Sequence, residues 1–149
     1  PAPTWPAWAL LATIGAWVAV IDAITTWIPA VLAWTGWVGW IGAVVVTALS
    51  DQTAATRAVI ATAIIFAAWM IAWLISRGGF GFSDVRITPL WAAPAAATGI
   101  DTIHATVIAG LTLIALYALI DRFRHHTTRF LPWAPSLCSG ALIGLAIAH

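Results

Sequence analysis

Asp22, in Ile21-Asp22-Ala23-Ile24-Thr25-Thr26-Trp27-Ile28-Pro29, and Asp84, in Gly81-Phe82-Ser83-Asp84-Val85-Arg86, have the type and setting best suited to chemistry. Each stands in or beside an apolar run, where an ionised carboxylate is costly to keep and marks a candidate functional group by default. Two carboxyls brought close together share one proton, because their like charges resist double ionisation. Such a pair offers a base that activates water beside an acid that protonates the leaving or carbonyl group. Amide cleavage without a nucleophilic side chain requires both. A helix starting at Asp84 favours its charged form, which makes Asp84 the more ionised partner. The pair titrates jointly, so acid and base are not assigned.

The elements that must carry these residues are membrane helices. Of 149 residues, 62% are hydrophobic and 7% charged, against about 25% charged in an ordinary soluble domain. Mean hydropathy is +0.99. Lys and Glu are absent, so the charge inventory is six Arg and five Asp, and the net charge of +1 says little about partners. Apolar stretches of about 17 to 25 residues can cross a bilayer as helices. Six are expected, over residues 5 to 24, 27 to 49, 56 to 76, 84 to 100, 102 to 121 and 133 to 148, which predicts one all-α transmembrane bundle over residues 1–149. The start has no basic n-region, so the first stretch reads as a retained span. The absence of an initiating Met leaves room for a removed N-terminal piece.

Six spans put residues 25 to 26, 77 to 83 and 122 to 132 on one side. Arg77, Arg86, Arg122, Arg124 and Arg129 lie at or near that side, and only Arg57 at the other. Positive charge collects on the cytoplasmic side, so Asp22, closing the first span, and Asp84, opening the fourth, are both expected near the cytoplasmic face. Trp occurs eleven times, mostly as interfacial anchors and packing residues. Gly140-Ala141-Leu142-Ile143-Gly144 has the spacing that lets helices approach closely. It leaves open whether the contact is within the bundle or between protomers of a homo-oligomer. Pro94 is expected to bend the fourth span.

The remaining polar residues have simpler roles. Asp51 is expected to cap the third helix and Asp101, beside His104, the fifth. His125-His126 has no third ligand at readable spacing and Cys138 is the single cysteine, so no metal site or disulfide is expected. Asp121, on the cytoplasmic side, is the one other carboxylate that could enter the pair.

Taken together, the motifs resemble the type IV prepilin peptidase family, the short peptidase-only form of the membrane G-x-G-D aspartyl proteases. An Asp closing a span with Ile-Pro six and seven residues later is present as Asp22 with Ile28-Pro29. The block G-G-x-G-x-G-D-[VL]-K appears as Gly78-Gly79-Phe80-Gly81-Phe82-Ser83-Asp84-Val85-Arg86. The closing [IL]-P-[FW]-x-P appears as Leu131-Pro132-Trp133-Ala134-Pro135. Three family positions differ: Ser83 replaces the second Gly of G-x-G-D, Arg86 the following Lys, and Ala30 the Asn after Ile-Pro. Ser83 would fit as the N-cap of a helix beginning at Asp84.

The resemblance implies Asp22 and Asp84 as catalytic residues, with Gly78, Gly79, Gly81, Ser83, Arg86 and Pro29 lining the substrate or its loop. It implies cleavage of the leader of a prepilin-like precursor at the cytoplasmic face of a prokaryotic inner membrane. No cofactor or methyltransferase segment is implied. Partners are the precursor and membrane lipids, whose phosphates Arg77 can meet, and no nucleic acid. The competing readings are a degenerate homologue acting as a membrane scaffold, and a small transporter subunit using the two Asp as a cation or proton site. Glycine permits backbone conformations that serine does not, so whether the motif tolerates Ser83 is central to that choice.

Overall fold

The computed structural model describes residues 4–76, 81–125 and 131–148. Among these, the regular elements are all helical: α1 (Trp5–Leu10), a π-helical turn (Leu11–Gly15), α2 (Ala16–Thr25), α3 (Ala30–Ala48), α4 (Gln52–Ser76), α5 (Phe82–Arg86), α6 (Thr88–Thr98), α7 (Ile100–His125) and α8 (Trp133–Ala148). The first three join as one helix, Trp5–Thr25. With Ala30–Ala48, Gln52–Ser76 and Ile100–Phe123, it makes four helices long and apolar enough to cross a membrane.

The expected fourth and sixth spans take different forms. The fourth is a one-turn helix followed by the 11-residue α6, and the sixth is the 16-residue α8. At about 1.5 Å per residue, α6 is too short to cross a hydrocarbon core. It is instead the centre of the bundle, buried from Thr88 through Ala97, with α4, α7, α8 and α3 packed around it. Its alanines, Ala92, Ala93, Ala95, Ala96 and Ala97, let neighbours approach on all sides, while Trp91 fills the space towards Leu11, Leu137 and Cys138.

The helix continues through Pro94 although that ring removes a backbone donor. Side chains of the neighbouring helices secure its C-terminal end. Thr98 Oγ1 donates to the Pro94 carbonyl at 3.0 Å and accepts Trp8 Nε1 at 3.0 Å. Arg57 Nη2 donates to the Ala97 carbonyl at 3.1 Å, placing a cation where the helix dipole favours one. Asp51 caps α4 as expected, accepting the Ala54 amide at 2.9 Å. Asp101 is an exposed residue within the first turn of α7, not its cap.

The glycine pair on α8 packs inside this chain. A Cβ at Gly140 would stand 2.7 Å from the Gly110 nitrogen and the Thr106 carbonyl of α7, and one at Gly144 would meet the Thr102 carbonyl at 2.7 Å. Backbone cannot yield to a side chain as another side chain can. Gly140→Ala is therefore expected to cost about 1–3 kcal/mol, read as a lowered unfolding midpoint of the detergent-solubilised chain. An unchanged midpoint would show that α7 and α8 can separate freely.

Candidate active site

Asp22 is on the last full turn of α2, 2% exposed. The helix stops four residues later at Thr26, whose φ of 52° makes it the one described non-glycine residue in the left-handed region. A β-branched residue there stores strain of about 1–3 kcal/mol. The Thr26 amide donates to the Asp22 carbonyl at 2.8 Å. Ile28, fully buried against Val18, Ile87, Leu90 and Ala134, pins the return of the chain, and Pro29 begins α3 as its N-cap. The Ile28-Pro29 pair thus anchors the turn that follows Asp22.

Asp22 also starts α8. Its Oδ2 accepts the Ala134 amide at 2.9 Å, and the Trp133 amide is a second donor to the same carboxylate. The need for this cap lies in the local sequence. Pro132 offers no side-chain acceptor and Pro135 no N–H, so the first turn of α8 presents the amides of Trp133 and Ala134 to whatever acceptor the fold brings. Those two proline positions are the available signal that α8 needs a cap from elsewhere in the chain.

Asp84 is 6% exposed on α5, outside the four long helices. Helix α5 begins at Phe82 with Gly81 as N-cap, so Ser83 is an internal helical residue and not the cap expected from sequence. Ser83 has no positive φ, so the position asks nothing of glycine that serine lacks. The glycine that matters is Gly81. A Cβ there would stand 2.8 Å from Asp84 Oδ2, because the carboxylate folds back over the cap. Gly81→Ala is expected to move the carboxylate without unfolding the chain, since the displaced atom is a side-chain tip. For any reaction that the Asp84 carboxyl carries, the loss should be about 10²-fold, the usual effect of misplacing a reacting group by an ångström. Full activity in Gly81→Ala would mean that the Asp84 position is not critical.

Burial pushes the Asp84 carboxyl up to about 7, and the negative charge of Asp22 adds to the rise. The segments that carry the two carboxylates pack together, Val18 and Ile28 against Ile87 and Leu90 in one buried cluster. Burial outweighs the helix start at Asp84. Asp84 is the third residue of a single-turn helix, and the little that a helix start offers is outweighed by loss of water. The amides of Trp133 and Ala134 fix the position of the Asp22 carboxylate.

Around the pair, Trp37 Nε1 donates to the Arg86 carbonyl at 2.9 Å, tying α3 to the end of α5. The Arg86 guanidinium lies 5.4 Å from the centre of the Phe82 ring, which packs on Trp73 at 5.0 Å. Arg86 Nε is buried without a partner. Trp37 carries no chemical signature in a chain with eleven tryptophans, and sequence reasoning passes over it. Gly78 and Gly79, expected to line the substrate loop, lie outside the described residues, as do Arg77, His126 and Arg129. Among the described residues, no three His, Cys or Asp side chains gather to hold a metal ion. Compared with family models, curated proteins and solved structures, the chain matches none.

Proposed function

We propose that the chain is a membrane aspartyl endopeptidase of the prepilin peptidase type, cutting the leader of a prepilin-like precursor. The observation that carries the reading is a pair of buried carboxylates, one closing α2 and one opening the α5–α6 segment, on stretches that share a buried cluster. Asp22, held by the amides of α8, takes a proton from water in this reading. Asp84, still protonated near neutrality, donates to the carbonyl or leaving nitrogen of the scissile bond. Each water attack leaves the proton count of the pair unchanged once the products separate. Gly81 and Ser83 shape the approach to Asp84, Pro29 the turn after Asp22, and Arg86 holds an acidic group of the substrate.

In this reading, α5–α6 and α8 complete the six-segment arrangement begun by the four long helices. The pair lies near the cytoplasmic face of a prokaryotic inner membrane, a placement supported by the five arginines at that side of the sequence.

One observation favours the scaffold alternative: Asp22 Oδ2 is already engaged in capping α8, a purely structural task. Co-expression of the chain with a prepilin-like precursor, following leader loss by mass, separates the two. The parent is expected to process the precursor, and Asp22→Asn and Asp84→Asn are not. Unchanged processing in either variant sinks the two-aspartate mechanism, and a parent that cuts no precursor leaves the scaffold.

A further inference from the structure

Helices α4 and α7 each pack on α6 and scarcely on one another, so a cleft runs between them, floored by Ala95, Ala96 and Ile103. Its mouth has a volume of ≈ 610 Å³ and continues into a second space of ≈ 340 Å³ through the shared walls Ala61, Ile64 and Ile100. Both volumes fall within the ~300–1,000 Å³ of small-molecule sites.

The lining is divided by polarity along its length. Gln52, Thr53, Thr56 and Arg57 stand at the mouth, on the first turns of α4, and isoleucines line most of the remainder down to Ile108, with His104 the one polar side chain among them. Arg57 sits about 7.5 Å into α4 at ~1.5 Å per residue, a depth at which a guanidinium must be paired or reach for the headgroup layer. One of its nitrogens holds the Ala97 carbonyl at 3.1 Å, and its Nε is buried without a partner. A single cation at the mouth of a long apolar cleft matches a molecule with one anionic group on a hydrocarbon chain. An apolar peptide helix would fill the isoleucine walls and leave the guanidinium unmatched.

We propose that this cleft binds one glycerophospholipid, its phosphodiester on Arg57 and one acyl chain between α4 and α7. Phosphate oxygens meet the planar donors of Arg57 in the charge-assisted geometry that guanidinium favours, and Gln52, Thr53 and Thr56 supply neutral donors around the headgroup. The site rests on insertion in a membrane and not on the peptidase reading.

Native mass spectrometry of the full chain released from detergent tests it, with palmitoyl-oleoyl phosphatidylglycerol as probe and diacylglycerol of the same chains as control. The parent is expected to retain one phospholipid at about tenfold higher occupancy than diacylglycerol, the scale of one well-made ionic contact. Arg57→Gln should bring the two lipids level. Ile64→Trp, which fills the cleft from an outward-facing position and leaves the α6 contact of Arg57 intact, should remove both. It decides the matter if Arg57→Gln fails to fold. Retention unchanged in Ile64→Trp, or an equal loss in Arg122→Gln at the far end of α7, would overturn the proposal. So would displacement of the lipid by an added apolar helical peptide with equal effect in parent and Arg57→Gln.

Discussion

Under the proposed function, Asp84→Asn is expected to abolish precursor cleavage while making the protein more stable above pH 7. Removing a positioned acid costs about 10²–10⁴-fold in rate, and here it also removes half of a pair that must hold one proton. The parent's rate is expected to fall as pH rises through about 7, the value to which burial and Asp22 push the Asp84 carboxyl, because the proton that the proposed mechanism donates is lost. The stability effect has the same origin. In the folded chain Asp84 holds its proton up to about 7, against 3.8 for the free group. Its contribution to stability is therefore fully present below about pH 4, declines as pH rises, and is lost above about 7. Asparagine carries no charge to bury. Thermal unfolding of the two proteins in detergent should differ at pH 8, with the variant higher, and converge at pH 4. A variant no more stable than its parent at pH 8 would mean that Asp84 ionises without penalty and is not the proton donor.

Asp22 should separate function from structure when its two replacements are compared. Asn keeps an oxygen acceptor for the Ala134 amide, so Asp22→Asn is expected to fold with a loss of about 1 kcal/mol while failing to cleave. Asp22→Ala leaves the amides of Trp133 and Ala134 without their acceptor in a buried setting, at a cost of about 1–3 kcal/mol or more. Hydrogen exchange locates the damage: the first turn of α8 should lose protection in Asp22→Ala and keep it in Asp22→Asn. If Asp22→Ala unfolds at the parent's temperature, the carboxylate does not cap α8. If Asp22→Asn still cleaves at the parent's rate, Asp22 serves only as a cap.

These two residues show why a motif can be read from sequence and still be misjudged in detail. Ser83 reads as the threat to the G-x-G-D block because it stands where glycine is expected. The backbone at Ser83 is ordinary helix, and the constraint belongs to Gly81, where the Asp84 carboxylate lies against the cap. Glycine is required where another group needs its space, and only packing reveals which glycine that is. The double proline around Trp133 is similar. Local rules say that α8 lacks its own cap, but the acceptor, Asp22, comes from 112 residues away.

By itself, the sequence determined the features that composition and periodicity dictate: an apolar helical chain, long helices near residues 5 to 24, 27 to 49, 56 to 76 and 102 to 121, and two carboxylates in costly places. Such features are local, since transfer free energy and helix length are properties of a stretch of residues. Tertiary structure alone decided that the fourth apolar stretch is divided into α5 and α6 and that α6 is the buried centre of the bundle, where its alanines admit neighbours on every side. It also decided that Gly140 and Gly144 meet α7 of the same chain, that Arg57 closes α6, and that the charge of Asp22 reaches Asp84. Each depends on which surfaces touch, and contact between segments far apart in the chain is not written in either segment alone.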